Sequence, residues 1–289
     1  MRVSKRKTGC LRFEDFRRFI SLNPQIEEIE LSNDGEIFLN PELSGIIKYA
    51  YARDIRLTAG NGVNFNTVSN DMLRTLVEYE FASMTVSIDG SSQETYAKYR
   101  RNGNFDRVMA NIRKLNEYKL RLQKGAPFLA WQYIILESTD DVAEIERAKT
   151  MAAKLHMDIF FKKDNGGYQP RDPDMIKSVC GLSYDKSYSD GWLSHEVSRK
   201  WLPCLQLFNM PQLAHDGTFF GCCVLGKALV PMNGFEVPLE QIMSNESVEK
   251  IRAMLRGGAV VAESRCVTCQ FFKDMVATGN YIQGVEWLP

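Results

Sequence analysis

Apolar and polar positions along this chain fall into two rhythms that take turns. Leu11, Phe13, Phe16, Phe19 and Ile20 recur at helical spacing and predict an amphipathic helix at the start. Ile26, Ile29 and Leu31 mark a strand over 26–32 that runs into the polar turn Asn33-Asp34-Gly35-Glu36. A helix follows from Pro41, a residue suited to a first helical turn, through Leu43, Ile46, Ile47 and Ala50. The strand over 55–59 ends in Gly60-Asn61-Gly62, and Met72, Leu73, Leu76 and Val77 mark the next helix. A third strand over 83–88 ends in Asp89-Gly90-Ser91-Ser92, followed by a short helix near 94–99 and a long one carrying Val108, Ile112, Leu115 and Tyr118. A fourth strand over 128–136, a helix with Ile145, Ala148, Met151 and Leu155, and a fifth strand over 158–162 close the series. Strands alternating with helices predict an α/β fold, a parallel sheet or barrel with helices outside. Ligands of such sheets lie beyond the carboxyl ends of the strands, so the polar, glycine-bearing tips are expected to share one face. The opening helix has no strand before it, which predicts an array lacking its first strand.

From 165 to 200 the periodicity fades into stretches such as GGYQPRDPD and SYDKSYSDGW. This segment reads as a linker and insertion packed by its aromatics, Tyr168, Tyr184, Tyr188 and Trp192. Short strands at 212–213 and 218–220 then flank His215-Asp216-Gly217, where Asp-Gly signals a hairpin. A helix with Val248, Ile251 and Leu255 leads into Cys266-Val267-Thr268-Cys269. The predicted division is 1–164 for the strand and helix array, 165–202 for the linker, and 203–289 for a cysteine-rich domain.

Composition narrows the function. With 289 residues, 44% of them hydrophobic, the chain can bury a full core. Its 36 basic and 36 acidic residues cancel, so no global field draws it to nucleic acid or an anionic membrane. A small molecule or another protein is the expected partner. No apolar run approaches the roughly 18 residues of a spanning helix, and no secretory core follows Met1, so a cytoplasmic location is expected. Seven cysteines in such a chain read as metal ligands rather than disulfides, since five of them fall between Cys204 and Cys269. Cys266 and Cys269 form a CxxC knuckle, and Cys204 and the Cys222-Cys223 pair supply two further segments. Neighbours on a strand point opposite ways, so one of that pair is the expected ligand, and Cys222 is favoured. A tetrathiolate site on Cys204, Cys222, Cys266 and Cys269 suits zinc or an iron–sulfur cluster. Cys10 and Cys180 read as packing residues, and His156, His195 and His215 show no ligand spacing.

Taken together, LSNDGEIFLNPEL, AGNGVNF, VSIDGSSQETYAKYR and the cysteine pattern resemble the radical S-adenosylmethionine (radical SAM) enzymes that carry a C-terminal SPASM or twitch extension. The resemblance covers nearly the whole chain. It implies a partial (β/α)6 barrel holding S-adenosylmethionine against an iron–sulfur cluster, whose electron cleaves it to a 5′-deoxyadenosyl radical that abstracts hydrogen from substrate. By the same resemblance, Asn33, Asp34, Gly35 and Glu36 form the loop for the methionine amino group, with Asp34-Gly35-Glu36-Ile37 standing where many members have Gly-Gly-Glu-Pro. Asn61 faces the same side, Ser87 and Asp89 contact the ribose, and Gln132 points inward while Tyr133 points outward. A [4Fe-4S] auxiliary cluster falls on Cys204, Cys222, Cys266 and Cys269. A small-molecule or peptide substrate and an electron donor such as flavodoxin or ferredoxin are the implied partners.

The departure lies at the front. The CxxxCxxC loop that binds the family's catalytic cluster is absent, and only Cys10 lies near the N-terminus. The missing strand and the missing cysteines predict that this chain begins just after that loop and cannot itself cleave S-adenosylmethionine. No catalytic residue is assigned. The competing expectation is a non-catalytic or degenerate binding or scaffold protein with structural zinc at the cysteines.

Overall fold

The computed structural model describes residues 9–164, 166–184, 204–223 and 227–284. The chain divides into two compact units, Glu27–Arg199, and Met1–Ile26 together with Lys200–Pro289.

The first unit is a five-stranded sheet in the order β1-β2-β3-β4-β5, every pair parallel. The strands are β1 (Glu28–Glu30), β2 (Arg56–Val63), β3 (Ser83–Ser87), β4 (Phe128–Ile135) and β5 (Asp158–Lys163). Helices α2 (Leu43–Tyr51), α3 (Asn70–Glu78), α4 (Gln93–Tyr99) with α5 (Phe105–Leu122), and α6 (Val142–Lys154) connect them. Right-handed crossovers put such helices on one side of a sheet. The register separates the two faces chemically. Leu57, Ala59, Met84, Val86, Leu129, Trp131, Tyr133 and Ile135 share one parity and are buried, which is the face that helices cover. Glu30, Thr58, Thr85, Ser87, Gln132 and Lys162 share the other. A sheet whose second face is polar at its centre is organised to do something there besides pack.

Local chemistry sets the helix boundaries. Ser69, Ser92, Asn104 and Asp141 each accept a hydrogen bond from a first-turn backbone N–H, capping α3, α4, α5 and α6. Trp131 is fully buried and its indole N–H donates to the Ile88 carbonyl at 2.6 Å, anchoring the end of β3 against β4. Among the described residues no helix is long and apolar enough to cross a membrane.

Three features differ from the expected pattern. The strand expected to stop at Ala59 runs on to Val63, with Gly60-Asn61-Gly62 as an irregularity inside β2, where its register on β3 shifts. The Gly60 and Asn61 N–H groups donate to Glu30 and Ser32 side chains instead of to a strand, so the stretch holds its place without a regular ladder. Second, a helix, α7 (Pro173–Cys180), stands in the segment read as linker. Its boundaries are written in Asp172, which caps it, in Pro173, and in the left-handed Gly181. Of the aromatics assigned to that segment, Tyr188 and Trp192 lie outside the described residues. Third, the opening helix α1 (Phe13–Leu22) belongs to the second unit, not to the sheet. Asn23 is fully buried, accepts from the Leu239 N–H at 2.7 Å and donates to the Phe19 carbonyl, while the Phe19 ring meets Phe235 edge-on at 6.3 Å. That packing accounts for a helix with no strand before it.

The second unit also holds α8 (Gln206–Asn209), α9 (Leu239–Met243), α10 (Glu246–Leu255) and α11 (Gln270–Thr278). The hairpin expected around Asp216-Gly217 is present, with Leu213 bridged antiparallel to Phe219 and Gly217 at φ +81°.

Candidate functional site

The carboxyl ends of β1 and β2 are joined by one carboxylate that the sequence pattern did not single out. Glu30 Oε1 accepts from the Ser32 N–H and hydroxyl, at 2.8 and 2.5 Å. Its Oε2 accepts from the Thr58 hydroxyl at 2.9 Å and the Gly60 N–H at 2.7 Å. Ser32, buried, passes the link on by accepting from the Asn61 N–H. The loops after β1 and β2 are thereby one body, and Asn61 donates to Asn33 across them at 2.5 Å.

Within that body Asn33, Asp34 and Gly35 are exposed, with Gly35 in the left-handed region at φ +76°. Glu36 turns back instead. Its carboxylate accepts from the Phe38 N–H at 3.1 Å and the Asn64 N–H at 2.7 Å, capping the 3-10 turn Ile37–Leu39 and tying the loop to the end of β2. Burial raises its pKa above the usual carboxylate range, against the two N–H groups and the Arg100 guanidinium, which favour the charged form.

Ser87 and Gln132 stand side by side on the polar face, the Gln132 amide donating to the Ser87 hydroxyl at 3.4 Å. Gly62, at φ +107°, lies over them: a Cβ there would come within 2.3 Å of Ser87 Oγ. Only glycine allows β2 to approach so closely. Tyr133 points to the opposite, buried face, as alternation requires.

Asp89 does not pair with Ser87. It is fully buried beyond the end of β3, where Oδ1 accepts from the Ile134 N–H at 2.9 Å and Oδ2 from Arg100 Nε at 2.6 Å. Burial raises its pKa, opposed by the nearby Arg100 and Lys162 charges. Alternation along the strand stops applying once the chain leaves it, and Gly90 at φ +155° turns the backbone away. The cation between these carboxylates, Arg100, is the residue the pattern missed. It ends α4, its charge acts on both Glu36 and Asp89, and its side chain is 30% exposed. Asp89 holds Nε, whereas no acceptor among the described residues meets its two Nη groups. The signal lay in the helix after Asp89-Gly90, which ends at Tyr99 with Arg100 as its C-cap.

The cysteines of the second unit make a separate centre. Burial pushes the Cys204 thiol up to about 11, and Cys269, Cys266 and Cys223 are the thiols whose charge adds to that rise. The Cys223 N–H donates to Gln206 Oε1 and the Cys204 N–H meets Met275 Sδ, tying the hairpin and α11 to the Cys204 segment. Among the described residues no group of three or more His, Cys, Asp or Glu side chains is arranged to hold a metal ion. Neutral thiols do not attract one another, so nothing draws four sulfurs to ligand distances until a metal does.

No protein-family model and no curated protein matches the sequence. Among solved structures the chain is similar to SuiB of Streptococcus suis, at 12% identity with a TM-score of 0.61, over 93% of this chain and 66% of that one. At this identity the likeness is one of fold, a radical SAM-like α/β arrangement, and this chain spans only that 66% of the SuiB chain.

Proposed function

We propose that this chain is a radical SAM-type protein whose strand ends hold S-adenosylmethionine, and that its C-terminal cysteines hold a second, auxiliary iron–sulfur centre. The observation carrying the first part is the opposed pair Glu36 and Arg100 at one end of the sheet. An amino-acid head group presents an ammonium and a carboxylate together. A carboxylate with spare lone pairs suits the ammonium, and a guanidinium fork fixed through Nε suits the carboxylate in two parallel bonds. Asn33 and Asn61 add uncharged donors and acceptors beside Glu36, and the Ser87 hydroxyl suits a ribose. The radical SAM-like fold supports the same ligand.

This chain has no CxxxCxxC among its seven cysteines, so its own residues account for binding and orienting the cofactor. Burial of Glu36 and Asp89 strengthens every charge interaction at the site by lowering the local dielectric. For the auxiliary centre, the donor set fits: Cys204, Cys266, Cys269 and one of the pair Cys222 and Cys223, with Cys222 favoured by the pattern, supply four thiols from three segments of one unit. Such a centre, when bound, would supply an electron acceptor.

Calorimetric titration of S-adenosylmethionine tests the cofactor. Loss of a charge-assisted contact costs about 1.5–3 kcal/mol, so Arg100→Gln and Glu36→Gln should each weaken binding by about 10- to 100-fold. Unchanged affinity in both variants, or no binding to the wild-type chain, overturns the reading. For the cysteines, anaerobic reconstitution followed by iron and sulfide analysis should find about one cluster per chain. Zinc alone would assign a structural centre and leave the scaffold reading in place.

A further inference from the structure

The amino ends of β4 and β5 lie at the far end of the sheet from the loops described above, since β4 alone, at about 3.3 Å per residue, sets the two ends about 25 Å apart. There a cavity of about 270 Å³ is lined by Lys119, Phe128, Leu129, His156, Met157 and Asp158. Lys119 stands in the last turn of α5, Phe128 and Leu129 open β4, and His156, Met157 and Asp158 lie where α6 turns into β5. The fold pins these walls together. Asn116, one turn before Lys119 on α5, donates its amide to the Leu155 carbonyl at 2.7 Å. His156 holds the left-handed region at φ +54°, with its own N–H on the Ala153 carbonyl and the Met157 N–H on the Ala152 carbonyl.

The lining joins one cation to an apolar surface. Leu129 and Met157 are buried and make the floor, while Phe128 is 72% exposed at the mouth. Lys119 is half-buried, and burial lowers its pKa with no neighbouring charge opposing the shift. Asp158 lines the same cavity without offsetting that burial, and among the described residues no acceptor meets the Lys119 ammonium. A lysine ordinarily carries its charged head out to water along a flexible stem. An ammonium kept beside an apolar floor and an exposed ring is instead completed by an anion with an apolar body. A dry cavity of about 150 Å³ takes up benzene, so this one has room for a single ring and a short acidic arm.

We propose that this cavity is a separate ligand site for a small carboxylate bearing one aromatic ring, the Lys119 ammonium meeting the carboxylate while Phe128, Leu129 and Met157 meet the ring. The site goes beyond the cofactor reading and does not rest on it, because none of its residues belongs to the loops at the carboxyl ends of the strands. Lys119 meets the carboxylate as a point charge, so the ring contacts, not the head group, set the ligand's orientation.

The test uses the whole chain with lysine carrying 13C at Cε, the Lys119 resonance being identified by its loss in Lys119→Met. 3-Phenylpropionate and 3-phenylpropionamide are the probes, since they share the ring and differ in the carboxylate alone. The Lys119 resonance should shift and saturate with 3-phenylpropionate and stay still with the amide. Calorimetry should give Lys119→Met an affinity for 3-phenylpropionate lower by about tenfold or more, the cost of a lost charge-assisted contact, with Lys119→Arg retaining most of it. No shift, the same shift with both probes, or equal affinity in Lys119→Met overturns the proposal. Lys119→Met should unfold at the same urea concentration as wild type or a higher one, because it removes a half-buried charge that has no partner. A clearly lower midpoint would make Lys119 a structural residue and also overturns the proposal. If S-adenosylmethionine fails to bind while 3-phenylpropionate still moves Lys119, the cofactor reading falls and this site stands.

Discussion

Replacing Glu30 by Gln tests how the site is held, because the change keeps the shape and removes one oxygen and the charge. Four donors converge on this carboxylate, two on each oxygen: the Ser32 N–H and hydroxyl on Oε1, the Thr58 hydroxyl and Gly60 N–H on Oε2. Whichever way the new amide is turned, its NH2 faces one backbone N–H and one hydroxyl. The hydroxyl can rotate and accept, but the N–H cannot. One bond is therefore lost outright, one is reversed, and the remaining two lose their charge assistance. A hydrogen bond to a charged group contributes about 1.5–3 kcal/mol, and Glu30 is half-buried, so the expected loss is about 2 kcal/mol. Urea unfolding followed by circular dichroism measures it, and Thr58→Val supplies a cycle. Glu30 and Thr58 share one charge-assisted hydrogen bond, whose charge assistance either substitution removes, so the two should fall short of additivity by about 0.5–1 kcal/mol. Because the same carboxylate joins the loops carrying Asn33, Glu36 and Asn61, Glu30→Gln should also weaken S-adenosylmethionine binding although it touches no ligand. A stability change under about 0.5 kcal/mol, the ordinary range of a surface substitution, would refute the reasoning.

Gly62→Ala should cost about 1–3 kcal/mol by forcing Ser87 from Gln132, read as a lowered urea midpoint, whereas Gly35→Ala, with open space around it, should show only the backbone cost of φ +76°. Asp140 is buried, and although burial alone would raise its pKa, Arg171 and the Tyr168 hydroxyl hold it below the usual range; Glu144 is likewise held low by Thr95, Ser91 and Arg147 against burial. Both groups bind protons more tightly unfolded, so their stabilisation is full above the ordinary carboxylate pKa and lost as pH falls through the depressed one; stability measured against pH should fall less steeply on the acid side in Asp140→Asn and Glu144→Gln. Of Cys222→Ser and Cys223→Ser, one alone should lower iron content after reconstitution, and equal loss in both would contradict a four-cysteine site.

The sheet was legible because its strands are short apolar runs separated by long amphipathic helices, and each period survives local noise. What escaped depended on partners distant in sequence. Glu30 reads as one more acid in IEEIE until β2 supplies Thr58 and Gly60, twenty-eight and thirty residues on. Gly60-Asn61-Gly62 reads as a strand end because its N–H acceptors are side chains from another strand. Asp89 kept the alternation of Ser87 on paper, whereas the chain had already turned at Gly90. Which of Cys222 and Cys223 joins the other cysteines turns on which thiol the chain presents to Cys204, a matter of tertiary placement that adjacent identical residues cannot encode. Helix α7 is different: Asp172, Pro173 and Gly181 announced it, and the surrounding Gly and Pro hid it.

The central claim is that the tips of β1, β2 and β3 enclose S-adenosylmethionine. Amide hydrogen exchange with and without the cofactor measures this directly. Exchange should slow at 33–36, 60–64 and 87–90 and stay unchanged along α3, on the opposite side of the sheet. Slowing confined to other segments, or no slowing at saturating cofactor, would contradict it.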